Sequence, residues 1–408
     1  MDARRWILPE GIEEILPEEA ARIEALRRRL LDRFRAWGYE LVIPPFVEHL
    51  ETLLTGVGHA LEPHTLKLTD PLSGRILGIR PDMTPQAARI EARRLRREGP
   101  VRLCYLGTVL RARPEWPGGT RSPLQVGAEL YGHAGAEADL EVLLLMLETL
   151  AETGVREVHV DLGHVGIFRA LARRAGLDAE SEATLFEALQ RKALPELREL
   201  IAGLEAGGEA RALAAIEALA GLHGGPEVLE EARRALAGLG DEVEEALGRL
   251  MRLVEGLARH GRREPVHVDL AELRGYRYHT GVVFGAFVPG HGQDVARGGR
   301  YDDIGAAFGR ARPATGFSAD LRMLACLAEE AGTSGPAPAG GILAPFGDDP
   351  ALLAEVRARR ARGERVVWAL PGQPDDPAAC GCDRMLVREG GAWVVKEAGG
   401  TGGQGSSA

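Results

Sequence analysis

The sequence predicts an α+β fold in which helices pack on a mostly antiparallel sheet. Three observations support this prediction. Short strand-like runs are separated by turns or helices, and few of them show the spacing of βαβ units. Residues 166–260 carry a helical pattern only, which predicts a helical insertion. Residues 331–340 have the composition of a linker, and the pattern beyond them predicts a small C-terminal α/β domain.

Composition and charge exclude several classes of protein. The 408 residues are 45% hydrophobic and 27% charged, as in ordinary globular chains, and the net charge is −10. Affinity for nucleic acid depends on cationic contacts with phosphates, so an acidic chain is a poor general binder of nucleic acid. The longest apolar run, 142–147, is too short to span a bilayer, and residues 1–6 carry no apolar signal segment. We therefore expect a soluble cytoplasmic protein with no membrane contact.

The N-terminal residues predict a helix followed by a short strand. Over 17–37, apolar side chains recur at steps of three and four residues, so they share one helix face: Ile23, Leu26, Leu30, Phe34 and Trp37. A proline opens this stretch and a glycine follows it, which suits the first position and the end of a helix. The next run, 39–45, predicts a short strand that ends at two prolines.

The remaining elements follow from periodicity and turn residues. Strands are predicted at 66–68, 76–79, 101–109, 124–131, 158–162, 266–270 and 282–288. Asp241 with Glu244 predicts a capping box at the start of a long amphipathic helix. In the C-terminal part, a β-α-β unit is predicted at 342–344, 350–362 and 366–370, with a hairpin at 385–387 and 393–396. The predicted organisation is a main domain over 1–330, a linker over 331–340, a small α/β domain over 341–399 and a disordered tail over 400–408.

Four segments are richer in charged residues and glycine than their apolar surroundings require: 80–86, 111–129, 274–281 and 297–302. Within the second, Gln125, Glu129 and Tyr131 alternate with apolar residues, which puts them on one face of a strand. That face either meets a ligand or lies in water as the polar side of a half-exposed strand. The histidines and cysteines show no metal-ligand spacing, and no phosphate loop or dinucleotide fingerprint occurs. We therefore expect no metal and no cofactor.

Together, these segments resemble the catalytic domain of histidyl-tRNA synthetase, which has a class II aminoacyl-tRNA synthetase fold. Residues 9–16 look like the N-terminal signature of that family, and 39–45 with the preceding helix look like motif 1, which builds its dimer interface. Arg111 falls where motif 2 places its arginine. The other matches are Gln125 and Glu129 at the family's spacing, Arg274, Gly275 and Tyr278 of the histidine-specific stretch, and the glycine-rich strand 298–302.

The departures from the synthetase pattern concern catalysis. Met323 stands where motif 3 has the arginine that holds ATP phosphates. Arg322 is one residue out of register, which turns its side chain by about 100° on a helix, so it cannot simply substitute. Arg113 replaces an acid of motif 2, and His279 stands where the family has a second tyrosine. The C-terminal part is about half the size that an anticodon-binding domain needs.

This combination resembles the family of synthetase-like regulatory subunits of ATP phosphoribosyltransferase. The resemblance implies a noncatalytic subunit, required with a short-form catalytic subunit for the first step of histidine biosynthesis and for its feedback regulation by histidine. It also implies a homodimer through motif 1, loss of aminoacylation and no tRNA partner. Two alternatives stay open: an active histidyl-tRNA synthetase, and a stand-alone histidine-binding module with another partner.

The polar groups of free histidine can be matched to the candidate residues. Its ammonium needs acceptors, its carboxylate needs a guanidinium, and its imidazole needs a group that reads the N–H. Acceptors come from Asp82, Thr84 and Gln125, the guanidinium from Arg111 or Arg274, and the imidazole contacts from Glu129 with Tyr278. The predicted histidine-binding residues, with no catalytic residue among them, are Asp82, Thr84, Arg111, Gln125, Glu129, Arg274, Tyr278 and His279. The effector could also bind at the interface with the catalytic subunit.

Overall fold

The computed structural model describes residues 7–56, 61–116, 118–204, 209–273, 275–276, 278–333, 340–373 and 376–398. The chain divides into two compact units, Met1–Ser334 and Gly335–Ala408. This division falls inside the predicted linker 331–340, of which only 331–333 and 340 are described. The predicted tail, 400–408, lies outside the described residues, and the domain boundaries proposed from the sequence stay predictions.

A nine-stranded sheet forms the centre of the first unit in the part of the chain that the structure describes. Its strands are β1 (Glu40–Leu41), β5 (Val101–Thr108), β6 (Leu124–Tyr131), β7 (His159–His164), β8 (His223–Gly224), β9 (Val266–Asp269), β10 (Val282–Phe287), β11 (Asp294–Arg300) and β12 (Ala314–Asp320). Their order is β1-β5-β6-β12-β11-β10-β7-β9-β8. All neighbours are antiparallel except β1 with β5 and β7 with β9. A smaller sheet of the same unit joins β2 (Val47–His49), β3 (Leu66–Thr69) and β4 (Ile76–Ile79).

Helices pack on the large sheet and supply most of the buried apolar side chains of the main core. Those of the first unit are α1 (Pro17–Ala36), α2 (Leu50–Leu53), α3 (Thr84–Ile90), α4 (Ala136–Ala151), α5 (Val165–Arg174), α6 (Ala179–Gln190), α7 (Leu194–Leu204), α8 (Ala210–Leu219), α9 (Val228–Ala235), α10 (Asp241–Arg259) and α11 (Leu321–Glu330). A π-helical turn, Glu91–Leu95, continues α3, and short 3-10 turns lie at Glu62–His64 and Ile304–Phe308. The largest buried cluster joins α1, α4 and the helices between β7 and β9 to the sheet. The predicted fold class, helices on a mostly antiparallel sheet, is confirmed.

Helix α1 follows the sequence pattern closely. It begins at Pro17, and four of the five predicted apolar side chains are its buried residues. The fifth, Trp37, follows the last helical residue and packs partly buried against the same core. Gly38 follows the helix with φ +84°, a conformation that glycine adopts without a Cβ clash. The strand predicted over 39–45 is wrong in length. Only Glu40–Leu41 pair as a strand, since the prolines at 44 and 45 cannot donate ladder hydrogen bonds.

Helix α10 starts one residue earlier than the predicted capping box requires. Its first residue is Asp241, and Gly240 precedes it with φ +121° and no side-chain cap. The capping-box prediction is therefore wrong. The acidic residues of this first turn still place negative charge at the helix N-terminus, where the helix dipole favours it.

The second unit contains a four-stranded sheet in the order β14-β13-β15-β16. Its elements are β13 (Gly341–Pro345), α12 (Pro350–Ala361), β14 (Val366–Ala369), a 3-10 turn (Ala378–Cys380), β15 (Cys382–Glu389) and β16 (Ala392–Glu397). Strand β13 is parallel to β14 and β15, and β15 forms an antiparallel hairpin with β16. This is the predicted small α/β arrangement. Among the described residues, no helix combines the length and the apolar character that crossing a bilayer requires.

Candidate functional site

Strand β6 separates the helical core from the candidate site. Val126, Ala128 and Leu130 belong to the main buried cluster on one face. Gln125 and Glu129 alternate with them and are also buried, at 5% and 1% exposure. The polar face of this strand is therefore not exposed to water, and the half-exposed alternative is wrong.

Two neighbouring cavities lie along this buried polar face. The first, of about 350 Å³, is lined by residues from β6, β7, β10, β11 and β12, from the start of α3 and from several loops, among them Asp82, Thr84, Glu129, Tyr278, His279 and Arg297. The second, of about 340 Å³, is lined among others by Arg111, Gln125, Asp320 and Met323. Three residues, Glu115, Arg297 and Ser318, line both cavities, so the two share a wall.

Glu129 lies at the centre of a chain of buried hydroxyl groups. Its Oε1 accepts a hydrogen bond from the Tyr105 hydroxyl at 2.8 Å, and its Oε2 accepts one from the Tyr301 hydroxyl. The Thr84 hydroxyl lies 2.8 Å from the Tyr105 oxygen. Because Tyr105 donates its hydrogen to Glu129, Thr84 must donate to Tyr105. Gly127 leaves room for this arrangement, since a Cβ there would lie 2.6 Å from the Tyr105 ring.

Burial determines the charge of Glu129. Desolvation raises the pKa of its carboxyl to about 8, although the hydrogen bonds from Tyr301 and Tyr105 act in the opposite direction. At neutral pH the neutral form therefore predominates. A neutral carboxyl has one O–H donor and further acceptor capacity, which suits an imidazole that also carries one donor and one acceptor.

The loop before α3 is held by β6. Gln125 donates from Nε2 to Oδ1 of Asp82 at 2.7 Å, and its Oε1 accepts from the Met83 amide at 2.9 Å. Oδ1 of Asp82 also accepts from the Thr84 amide at 3.0 Å. Both ends of the Gln125 amide are thus engaged in positioning Asp82 at the first cavity.

Three aromatic rings form another wall of the first cavity. The Tyr278 ring stacks on Tyr301 with centroids 5.1 Å apart, and it meets the His279 ring edge-on at 5.3 Å. The Tyr278 hydroxyl is buried and has no hydrogen-bond partner among the described residues. Gly299 accommodates His279, since a Cβ there would lie 2.8 Å from the imidazole Cδ2. The buried hydroxyl therefore offers an unused hydrogen-bonding group beside the cavity.

Glu115 bridges two guanidinium groups at the shared wall. One carboxylate oxygen accepts from Arg111 and the other from Arg297. Burial raises the pKa of Glu115, but the charges of Arg297 and Arg111 hold it below its ordinary value overall. Arg111 thus lies at the second cavity and is paired within the chain.

The segment that resembles motif 3 presents no cation to the second cavity at positions 322 and 323. Met323 lines that cavity. Arg322 points to the N-terminal segment, where it donates to Glu13 at 2.7 Å and to Glu19 at 3.0 Å. Arg322, one residue out of register with the motif 3 arginine, thus pairs with the N-terminal segment and does not line the second cavity.

The structure brings five of the eight predicted site residues to the first cavity: Asp82, Thr84, Glu129, Tyr278 and His279. Gln125 and Arg111 line the second cavity, and Arg274 lies outside the described residues. Sequence reasoning did not assign roles to Tyr105, Glu115, Arg297 or Tyr301, which complete the site. Arg297 and Tyr301 lie in the charged and glycine-rich segment 297–302, so the sequence had marked their segment as unusual without assigning them a role. Within the described ranges, no three His, Cys, Asp or Glu side chains come together as metal ligands.

Comparisons with known proteins agree with this architecture. The family model described as histidyl-tRNA synthetase matches residues 11–324. A second model, described as the ATP phosphoribosyltransferase subunit HisZ C-terminal domain, matches residues 339–396. A histidyl-tRNA synthetase structure from Nostoc sp. superposes with a TM-score of 0.75 over 94% of this chain and 91% of that chain, at 18% identity. That likeness shows the fold alone.

More similar proteins carry a different name. The ATP phosphoribosyltransferase regulatory subunits of Thioalkalivibrio sulfidiphilus and Alkalilimnicola ehrlichii are each 56% identical to this chain. Each alignment covers 97% of the relative, with 95% and 96% of this chain. A Bacillus halodurans structure, titled as an ATP phosphoribosyltransferase regulatory subunit/histidyl-tRNA synthetase, has a TM-score of 0.79 at 30% identity, over 92% of this chain and 95% of that chain.

The large antiparallel sheet and the cavities on its buried polar face define a histidyl-tRNA synthetase-like protein with a class II fold. Within that class, similarity over nearly the full length and the match of the C-terminal unit are decisive. The chain belongs to the family of ATP phosphoribosyltransferase regulatory subunits.

Proposed function

We propose that this chain is the noncatalytic regulatory subunit that a separate, short-form ATP phosphoribosyltransferase requires for the first step of histidine biosynthesis. In this role it transmits feedback inhibition by histidine and does not aminoacylate tRNA. The names of its relatives and the matched C-terminal domain support this role. The cytoplasmic location predicted from the sequence stays a prediction.

The observation that carries the proposal is the chemistry of the second cavity. Binding of ATP phosphates needs cations that are available to phosphate oxygens. Here Arg111 and Arg297 share the Glu115 carboxylate, and Met323 lines the wall where the synthetase pattern has an arginine. A cavity with this lining is poorly suited to activate an amino acid with ATP.

We further propose that free histidine binds in the first cavity. Asp82 supplies an acceptor for the ammonium group. Glu129 supplies contacts for the imidazole, together with the Tyr278 hydroxyl, which has no hydrogen-bond partner among the described residues. Thr84 supports Glu129 through Tyr105, and His279 forms the wall beside Tyr278. Of the remaining predicted residues, Gln125 orients Asp82, while contacts from Arg111 and Arg274 to the ligand stay predictions.

Reconstitution with the catalytic subunit tests the main proposal. Phosphoribosyl-ATP formation is measured with the short-form catalytic subunit alone, with this chain added, and with both chains and histidine. We expect activity to rise on addition of this chain and to fall again with histidine. Activity that does not depend on this chain would contradict the proposal.

Histidine-dependent ATP–pyrophosphate exchange distinguishes the main alternative. We expect no exchange above a blank without enzyme, because Met323 cannot pair with phosphates. Clear exchange would support an active synthetase instead. If the chain binds histidine but neither stimulates phosphoribosyl-ATP formation nor catalyses ATP–pyrophosphate exchange, that result would favour a histidine-binding module with another partner.

The substitution Glu129→Ala tests the histidine site. It removes the carboxyl that faces the ligand and should weaken histidine binding by about 1–3 kcal/mol in calorimetry on the reconstituted complex. Glu141→Ala is a matched control, since Glu141 accepts from Tyr39 at 3.1 Å outside the cavity. Unchanged binding and unchanged feedback in Glu129→Ala would place the effector elsewhere, such as at the interface with the catalytic subunit.

A further inference from the structure

Glu115 pairs with Arg111 and Arg297 at the wall that the two cavities share. We infer that Glu115 is an internal carboxylate that occupies the anion site at the wall between the two cavities. An amino acid entering the first cavity must displace it to pair its own carboxylate with Arg297. This inference rests on the proposed histidine site.

The contacts of Glu115 come from two distant parts of the chain. Arg111 belongs to the loop between β5 and β6, and Arg297 belongs to β11. Each donates to a different oxygen of the same carboxylate. The Glu115 side chain is 28% exposed, and both Glu115 and Arg297 line both cavities. A ligand in the first cavity thus lies beside a guanidinium that already holds a carboxylate.

Two carboxylates cannot share this wall without a cost. Like charges within a few ångströms repel, and the repulsion is stronger in a partly buried site than in water. Asp294 adds a further carboxylate oxygen 3.8 Å from Arg297. The cationic neighbours keep Glu115 ionised at neutral pH, so protonation does not remove the competition. The incoming carboxylate must therefore replace Glu115.

The competition acts on one part of the ligand only. It lowers affinity for ligands with a carboxylate and leaves the imidazole and ammonium contacts unaffected. A regulator with this device binds histidine less tightly than its contacts allow, which suits sensing of a metabolite.

The test compares L-histidine with L-histidinamide, in which a neutral amide replaces the carboxylate. Calorimetry measures both affinities for the full chain and for Glu115→Gln, which keeps the shape of residue 115 and removes its charge. We expect the ratio of histidine to histidinamide affinity to rise roughly tenfold in Glu115→Gln, the change that loss of one charged competitor produces. An unchanged ratio would overturn the inference.

Two further variants are measured so that the test does not depend on whether Glu115→Gln folds correctly. Arg297→Gln removes the contested guanidinium and should lower the same ratio about tenfold. Glu19→Gln is the matched control, since Glu19 is 32% exposed and pairs with Arg322 outside both cavities. Circular dichroism and thermal unfolding verify that each variant is folded.

The outcomes separate this inference from the proposal on which it rests. If the unmodified chain binds histidine and Glu115→Gln has the same ratio of histidine to histidinamide affinity, the histidine site is supported and the competition by Glu115 is rejected. Histidine binding by Glu115→Gln alone would support both. Binding of neither ligand by any of the folded proteins would reject the histidine site and the inference together.

Discussion

The protonation of Glu129 links the stability of the fold to pH. Its carboxyl is buried and accepts hydrogen bonds from Tyr105 and Tyr301. Burial raises its pKa from 4.5 to about 8 in the folded chain. The unfolded chain thus loses this proton at lower pH than the folded chain does. The contribution of Glu129 to the free energy of unfolding must then fall as pH rises from about 4.5 to about 8.

The substitution Glu129→Gln makes this dependence measurable. Glutamine resembles the neutral carboxyl in shape and does not titrate, so the variant lacks this contribution to the pH slope. Urea unfolding at pH 5, 6.5 and 8 should show the unmodified chain losing stability relative to Glu129→Gln, by at most about 4 kcal/mol between pH 5 and pH 8. Parallel curves for the two proteins would show that Glu129 is ionised in the folded state.

At the scale of elements, the glycines of the central strands decide how close those strands lie. Gly298 of β11 faces β12 so closely that a Cβ would lie 2.6 Å from the Phe284 ring and 2.8 Å from the Phe317 Cα. Gly285 of β10 lines the same cavity, but the nearest atom to a Cβ there is a Phe287 carbon at 3.4 Å. The two positions thus make a matched pair.

We predict opposite outcomes for alanine at these two glycines. Gly298→Ala forces contact with the backbone of β12 and should destabilise the chain by about 2 kcal/mol or more. Gly285→Ala has ordinary contact distances and should change the free energy of unfolding by less than about 0.5 kcal/mol. Urea unfolding of both variants at one pH is the measurement. Equal losses of stability would indicate that this strand spacing does not depend on Gly298.

The elements also show what the sequence could predict. The patterns over 124–131 and 76–79 predicted both ends of β6 and β4. Apolar and polar residues alternate in the first, the second is a short run without polar side chains, and turn residues flank both. Strand β12 was not predicted, since Ala314–Asp320 is built mainly of small residues that carry no alternating pattern. The β-region of motif 1 was predicted too long because its prolines permit extended backbone without strand pairing.

The candidate site was predicted in part, for a related reason. Glu129 and Tyr278 belong to motifs with a recognisable spacing, so their side chains could be proposed as neighbours. Glu115 carries no such signal, because its role depends on Arg297, which is 182 residues away in the chain. Such a contact depends on the order of the strands in the sheet, which the local sequence pattern does not determine.

At the scale of the whole molecule, the exposed apolar side chains after α1 favour the homodimer that the family resemblance predicts. Leu41, Ile43 and Phe46 are all exposed, Ile43 by 82%. They follow or belong to β1, which is an edge strand of the nine-stranded sheet in the described part of the chain. An edge with unpaired backbone groups and apolar side chains favours association with another chain. Two-fold pairing through motif 1 would cover this edge in both copies at once.

The substitution Ile43→Glu tests whether this edge forms the dimer. A buried, unpaired carboxylate at a symmetric interface occurs twice, once from each copy, and should shift the chain from dimer to monomer at micromolar concentration. Leu194→Glu is the control, since Leu194 is an exposed apolar residue of α7, remote in sequence from motif 1. Size-exclusion chromatography with light scattering measures the mass of each protein. A monomeric unmodified chain, or a dimeric Ile43→Glu variant, would contradict pairing through motif 1. In that case the exposed edge at β1 would be left for another partner, of which the catalytic subunit is the first to test.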